Sequence, residues 1–147
     1  CNTNYTWNGS ECSYVNWESA VGYQWLKAPN GMTYEDANTF CSNNGGYIPA
    51  IDQLKQLIQN CSQTVYGGTC TATNSCVSWS SCRNTDCDGC TMQSSGYYSI
   101  FGDTSWFWSS TQLSDQEAAA YTINFDTGAI NMSVINSTYT GNVRCIK

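Results

Sequence analysis

Ten cysteines and no histidine constrain this chain of 147 residues more than any other feature of its sequence. An even number of cysteines in a short polar chain predicts five disulfides and an oxidising, extracellular compartment. Zinc is the competing interpretation, but without histidine only cysteine-rich zinc sites are possible, so we favour disulfides. The same lack of histidine excludes Ser-His and Cys-His nucleophile pairs, and the sequence therefore predicts a protein that is not an enzyme.

Charge and hydropathy narrow the classes of partner. The formal net charge is −6, and the chain has only five Lys and Arg residues. Nucleic acids and heparin-like polyanions require clustered cations, so neither is an expected partner. No apolar run approaches the roughly 20 residues of a membrane-spanning helix. A neutral glycan or a protein surface remains as the expected partner.

The sequence pattern of residues 33–60 predicts two successive helices. Thr33 is a good N-cap, and Glu35 and Asp36 follow it in the first turn, where acidic side chains interact favourably with the helix dipole. The stretch AIDQLKQLIQN has apolar residues at the spacing of a buried stripe, which predicts the second helix.

Strands are predicted on both sides of this helical part. Aromatic and polar residues alternate in residues 1–32, as they do in half-buried strands, and residues 106–147 predict an antiparallel meander. Residues 61–105 contain six cysteines among Ser, Thr, Asn and Gly, with too little aliphatic material for a regular core element. Disulfides would replace the missing burial there. We therefore expect one α+β domain, residues 1–147, with a cysteine-rich insertion at 61–105.

Four stretches together resemble one known family. In chain order they are MTYEDANTFCSNNGGYIPAIDQLKQLI, WFWSST, AYTINFDTGAI and VRCIK. They are similar to the bacterial C-type-lectin-like domains that cap invasin- and intimin-type adhesins. The resemblance covers roughly residues 23–60 and 106–147. Its matching positions are Tyr34, Asp36, Ala37, Cys41, Gly45, Gly46, Ile48, Pro49, Leu54, Trp108, Ser109, Ser110, Thr111, Gly128, Val143, Arg144 and Cys145. The chain departs from the family at Ala50, where Thr or Ser is usual, and at Gln53, where an acid is usual.

The resemblance implies two helices packed on a twisted antiparallel sheet, with a variable long-loop region at 61–105 that often carries binding. It also implies a disulfide between the first helix and the last strand, which would pair Cys41 with Cys145. Cys1 is compatible with a lipid-anchored terminus or, more simply, with a bond to Cys12 that clips the N-terminal segment. The six remaining cysteines allow fifteen pairings, and the sequence does not select one.

Aromatic residues in or beside the insertion are the candidate ligand contacts: Trp79, Tyr97, Tyr98 and Trp106. Such rings can stack on a pyranose or form a protein hot spot. Trp106 and Trp108 lie on one predicted strand, and we assign Trp108 to the core. The expected function is that of an adhesion domain at a bacterial cell surface, which binds a glycan or a host surface protein through this region. The alternative is a structural subunit or tip module of a pilin-like extracellular filament, whose loop region packs against a neighbouring copy.

A calcium site is a further hypothesis, for the sequence NTDCDG. Asn84, Asp86 and Asp88, followed by Gly89, have the spacing of the first half of an EF-hand loop. The twelfth position would be Ser95 instead of a bidentate Glu. We therefore favour a disulfide-stapled turn and keep calcium as the alternative.

Overall fold

The chain begins with two β-hairpins, continues through short helices and ends in four strands, as described by a computed structural model for residues 1, 5–7, 9–93 and 95–147. In chain order the elements are β1 (Tyr5–Trp7), β2 (Cys12–Tyr14), β3 (Glu18–Ala20), β4 (Tyr23–Lys27), α1 (Tyr34–Asn43), α2 (Ile51–Lys55), α3 (Trp79–Cys82), a 3₁₀ turn (Thr85–Asp88), β5 (Trp106–Gln112), β6 (Ala119–Asn124), β7 (Ile130–Val134) and β8 (Arg144–Ile146). The structure is therefore α+β, as the sequence predicted. Within the described part of the chain, no helix is long and apolar enough to cross a membrane.

Two three-stranded antiparallel sheets form the frame, instead of the single sheet that we expected. Their strand orders are β3-β4-β8 and β5-β6-β7, and β1 and β2 form a separate hairpin. The two sheets are distinct because the final segment of the chain runs first along β5 of one sheet and then pairs with β4 of the other. Asn142 exchanges backbone hydrogen bonds with Trp106 and Trp108 of β5, whereas Arg144 is already opposite Lys27 of β4.

Helix α1 begins where the sequence placed it. Thr33 is its N-cap, and its Oγ1 accepts a hydrogen bond from the Asp36 N–H at 3.3 Å. The side chains that the helix buries are Tyr34, Ala37 and Cys41. The prediction of this first helix is therefore confirmed, with its cap.

Helix α2 is shorter than predicted for the stretch AIDQLKQLIQN. It ends at Lys55, because the following carbonyl groups accept hydrogen bonds from distant segments. The Lys55 carbonyl accepts from the Tyr66 N–H at 3.3 Å, and the Leu57 carbonyl accepts from the Ile100 N–H at 3.0 Å. Leu57 is nevertheless fully buried, so the apolar stripe marked a buried turn as well as a helix.

The N-terminus of α2 is capped by Gln53 of its own first turn and by two side chains from distant segments, which compensates for Ala50 at the cap position. Gln53 Oε1 accepts from the Ala50 N–H at 2.9 Å. The next two N–H groups donate to Thr111 Oγ1 at 2.9 Å and to Asn74 Oδ1 at 3.1 Å. Tertiary contacts thus satisfy donors that a local Thr or Ser would have capped.

Buried side chains form two clusters, one around α2 and the β5-β6-β7 sheet and one around α1 and β8. Trp108 is fully buried in the second cluster, which confirms its assignment to the core. Cys41 is bonded to Cys145 there, the pairing that the resemblance implied. This bond spans 104 residues of sequence. For a loop of that length the chain-entropy estimate of stabilisation is about 5 kcal/mol.

The 61–105 insertion is more integrated into the core than the sequence suggested. In the described residues its regular structure is limited to α3 and the 3₁₀ turn. It nevertheless contributes five side chains to the first cluster: Cys61, Cys70, Ala72, Cys87 and Tyr98. Cystine sulfurs therefore supply part of the apolar interior that aliphatic residues usually provide.

Candidate functional site

Three nested disulfides hold the cysteine-rich segment. The pairs are Cys61–Cys90, Cys70–Cys87 and Cys76–Cys82, so each closed loop lies inside the previous one. Cys1 is bonded to Cys12, as the simpler of the two interpretations had it. All ten cysteines are thus in disulfides, a composition typical of proteins from oxidising compartments.

Asp115 fixes helix α3 to the frame. Its carboxylate accepts hydrogen bonds from the Trp79 N–H at 2.7 Å and the Ser80 N–H at 3.0 Å. The hydroxyls of Ser78 and Ser80 also donate to it, at 3.1 and 2.7 Å. These donors, the Ser80 N–H foremost, hold the pKa of Asp115 well below its usual range. The carboxylate therefore stays ionised and acts as a clamp on the start of α3.

Further hydrogen bonds attach the segment to the β5-β6-β7 sheet. The Tyr121 hydroxyl donates to the Cys76 carbonyl at 2.7 Å, and burial, followed by the Asp115 charge, raises the pKa of Tyr121 to about 12. The Cys90 N–H donates to the Thr127 carbonyl at 2.7 Å. The segment is therefore attached in its middle to β6 and at its C-terminal end to the turn between β6 and β7.

A buried lysine ties the segment to α2. The Lys55 ammonium donates to the carbonyls of Cys70, at 3.4 Å, and of Ala72. Burial lowers the pKa of Lys55, and the nearby Asp52 charge opposes this shift. Because carbonyl acceptors are neutral, Lys55 fixes the backbone of the segment without a buried ion pair.

The four predicted ligand-binding rings do not form one exposed platform. Tyr98 is only 3% exposed, and its hydroxyl donates to the Thr91 carbonyl, so it is a core residue and not a surface contact. Trp79 is half-buried, with the Arg83 guanidinium 4.9 Å from its ring centroid. Trp106 is half-buried as well, and Tyr97 alone of the four is exposed.

Tyr97 belongs to a group of exposed apolar side chains that the sequence did not identify. We call this group the loop face; it consists of Tyr66, Met92, Tyr97 and Ile100, which are 40 to 70% exposed.

Hydrogen bonds connect the backbone of the loop face to its surroundings. The Tyr66 N–H donates to the Lys55 carbonyl, and the Ile100 N–H donates to the Leu57 carbonyl. The Asn60 Nδ2 donates to the Tyr97 carbonyl at 3.1 Å. Met92 lies next to Thr91, whose carbonyl is bonded by Tyr98. Helix α2 and the turn after it therefore position the backbone of Tyr66, Tyr97 and Ile100.

The residues of the calcium hypothesis have partners inside the segment. Asn84 Nδ2 donates to the Thr69 carbonyl at 3.0 Å, and Asp88 forms an ion pair with Arg83. Asp86 lies in the 3₁₀ turn. Over the described positions, no group of three or more His, Cys, Asp or Glu side chains is arranged to hold a metal ion. Calcium binding stays a prediction, and these contacts favour the stapled turn.

An ion pair inside the protein connects the sheet β3-β4-β8 to the end of the insertion. Arg144 donates to Asp103 through Nε at 2.5 Å and Nη2 at 3.0 Å, and both side chains are buried. Lys27 Nζ lies 3.2 Å from Asp103, and Glu18 lies 3.3 Å from Arg144. The Arg144 guanidinium also lies over the Phe101 ring, 4.0 Å from its centroid. The sequence alone offered no signal for this pairing.

A concave surface lies beside the β1-β2 hairpin, and we call it the hairpin cleft. It has a volume of about 590 Å³ and lies between the β1-β2 hairpin, β4 and the end of α1. Trp7 and Tyr14 form its outer wall, Leu26 and Phe40 contribute apolar surface, and Asn43 adds a polar group. We had expected the first strands to be half-buried, but Trp7 and Tyr14 are 63% and 61% exposed. The hairpin pairs mainly with itself, so these rings remain at the surface.

Comparison of the chain with family models, with curated proteins and with solved structures gave no match.

Proposed function

We propose that this chain is a non-catalytic extracellular recognition domain with a C-type-lectin-like fold, which binds the surface of another protein through the loop face. The observation that carries the proposal is the loop face itself. Tyr66, Met92, Tyr97 and Ile100 remain exposed within one segment of a folded domain. Exposed apolar surface of this kind marks interaction surfaces. Tyrosine and methionine are also enriched where proteins bind one another.

The attachment of the backbone under part of the loop face supports this role. Tyr66 lies in the segment 61–90, which the nested disulfides and the Asp115 clamp hold. Outside that segment, the Tyr97 carbonyl accepts from Asn60 and the Ile100 N–H donates to Leu57. A surface that is already ordered loses little conformational entropy on binding, so more of the contact energy appears as affinity. Disulfides thus serve binding as well as stability.

The chemistry of the loop face favours a protein over a glycan. Two of the rings that we expected to stack on a sugar are covered: Tyr98 by the core and Trp79 by Arg83. Stacking on a sugar needs an accessible ring face with polar groups around it. Tyr97 and Met92 are better suited to fill a pocket of a protein partner.

The fold and the compartment are part of the same proposal. The α+β frame, the bond from α1 to β8 and the insertion between α2 and β5 correspond to what the resemblance implied. Five disulfides support an extracellular location.

The test compares binding of the fluorescently labelled domain to cultured epithelial cells before and after treatment with protease or with a mixture of glycosidases. We expect saturable binding that protease removes. Glycosidases should leave unchanged the part of the binding that depends on the loop face, measured as the difference between the wild type and the loop-face variant described next. The double variant Met92→Ala with Tyr97→Ala should bind at least tenfold more weakly, because it removes two anchor side chains worth about 1 kcal/mol or more each. Tyr47→Ala is the matched control, since Tyr47 is 51% exposed and Tyr97 50%.

Two results would count against the proposal. The first is equal binding by the wild type and the double variant. The second is concentration-dependent self-association, measured by sedimentation velocity, that the double variant abolishes. That second result would place a neighbouring copy on the loop face and favour the filament-subunit alternative.

A further inference from the structure

The hairpin cleft has two exposed aromatic rings on one side. Trp7 and Tyr14 lie on adjacent strands of the β1-β2 hairpin, which the Cys1–Cys12 bond closes. The Tyr14 ring is fixed edge-on against Tyr5, with 5.5 Å between ring centroids. Exposed rings of this size are costly to leave in water, and held at a cleft they form a stacking surface.

The opposite side of the cleft combines apolar surface with side-chain amides. Leu26 is buried and Phe40 half-buried, and three asparagines line the same cleft: Asn16, Asn43 and Asn44. The Asn44 Nδ2 donates to the Phe40 carbonyl at 2.8 Å, whereas its buried Oδ1 has no hydrogen-bond partner among the described residues. That oxygen is itself covered, whereas Asn16 and Asn43 are exposed, so their amides are the polar groups that a ligand in the cleft can reach.

Charged side chains at the cleft are already paired. Glu18 and Lys27 both line it, with opposite charges. Glu18 lies 3.3 Å from Arg144, and Lys27 lies 3.2 Å from Asp103. An anionic or cationic ligand would have to compete with these pairs, so the cleft favours a neutral ligand that bonds to the amides.

We propose that the hairpin cleft is a carbohydrate site, which binds a sugar unit of a neutral glycan. The apolar C–H face of a pyranose stacks on Trp7 or Tyr14, while its hydroxyls, which both donate and accept, bond to the asparagine amides. The volume, about 590 Å³, lies within the usual range of roughly 300–1,000 Å³ for ligand pockets. An acyl chain would leave the amides without partners, which is unfavourable.

This site goes beyond the proposed protein contact, because it uses different elements of the fold. The hairpin cleft is built from β1, β2, β4 and α1, whereas the loop face is built from the 61–105 insertion. A domain with both could bind a glycan and a protein at once.

The test is a two-dimensional ¹H–¹⁵N NMR titration of the whole domain with methyl glycosides of glucose, galactose, mannose and N-acetylglucosamine. Glucuronic acid and glucosamine serve as charged probes. We expect saturable shifts of the Trp7 indole N–H and of the Asn43 amide group with at least one neutral sugar. The charged probes should bind more weakly than their neutral counterparts.

Three variants, each first shown by its NMR spectrum to be folded, test the roles of the side chains. Trp7→Ala should weaken binding at least tenfold, the equivalent of about 1.4 kcal/mol. Trp7→Phe keeps an aromatic ring and should retain part of the affinity, and Asn43→Asp should weaken it by adding an unpaired charge. Tyr47→Ala, an exposed tyrosine outside the cleft, should bind as the wild type does.

Any of three outcomes overturns the carbohydrate site. The first is no saturable shift with any neutral sugar at millimolar concentration. The second is unchanged affinity in Trp7→Ala. The third is a set of shifts centred on Tyr97 and Met92 instead of Trp7, which would place sugar binding on the loop face and contradict both proposals in their present form.

Discussion

Replacement of Asp103 by alanine tests whether the buried ion pair with Arg144 contributes to the stability of the fold. In the native protein Asp103 accepts two hydrogen bonds from the guanidinium and lies 3.2 Å from Lys27. The variant leaves Arg144 buried without its main acceptor. Removing one partner of a buried pair typically costs about 3–5 kcal/mol, because the remaining charge stays desolvated.

The magnitude here belongs at the lower end of that range. Glu18 remains 3.3 Å from Arg144 and is itself 44% exposed, so it supplies partial compensation. The Phe101 ring below the guanidinium also remains. We therefore expect Asp103→Ala to lower the free energy of unfolding by about 3 kcal/mol. For a chain of about 150 residues that loss lowers Tm by roughly 6–12 °C.

The assay is urea unfolding at pH 7 without reductant, followed by tryptophan fluorescence, with thermal unfolding alongside. Asp88→Ala is the matched control, since Asp88 pairs with Arg83 at the surface. Exposed pairs contribute at most about 1 kcal/mol, so the control should differ little from the wild type. Equal losses in the two variants, or no loss in Asp103→Ala, would refute the reasoning from burial.

Two other perturbations test the attachment of the cysteine-rich segment. The hydrogen bonds to ionised Asp115 lower its pKa in the folded protein. The stability that they contribute is therefore fully present above the pKa of an unfolded Asp, near 4, and is lost as the pH falls through the lower pKa of the folded state. In the wild type, the Ser80 amide should therefore stay protected from hydrogen exchange down to about pH 4. In Asp115→Asn, its protection should already be reduced at pH 7. A loss of wild-type protection near pH 6 would contradict this reasoning. A Cβ at Gly89, which has φ +83°, would lie 2.4 Å from the Thr127 carbonyl oxygen, whereas one at Gly67, with φ +79°, meets nothing within 4 Å. Because the two φ values are alike, the difference comes from the steric clash, and Gly89→Ala should destabilise the protein by about 1–3 kcal/mol more than Gly67→Ala in urea unfolding. Equal losses would contradict a rigid contact at Gly89.

Local features of the fold were predictable because their causes lie within a few residues. Thr33 and the acidic first turn determine where α1 begins, through hydrogen bonds and charge between near neighbours. The alternation in residues 106–147 predicts strands, and β5, β6 and β7 pair as a meander. The length of α2 was not predictable, since it depends on N–H groups supplied by Tyr66 and Ile100 from the insertion.

The candidate sites were predicted less well, because exposure depends on distant packing. Tyr97 and Tyr98 are neighbours of the same residue type, yet one is 50% exposed and the other 3%. The Tyr98 hydroxyl bonds to Thr91, and its ring fills the first core cluster. In the same way, Trp7 lies in a stretch predicted to form half-buried strands, yet it is 63% exposed at the hairpin cleft.

By itself the sequence determined the α+β class, the first helix and an even set of cysteines with no histidine. These properties follow from composition and from short-range periodicity, which depend only on residues close together in the sequence. Only the tertiary structure decided the nested pairing of the six central cysteines, the burial of Arg144 against Asp103 and the shape of both candidate surfaces. Each of these depends on which residues far apart in sequence share one small volume, and that is a property of the packed chain as a whole.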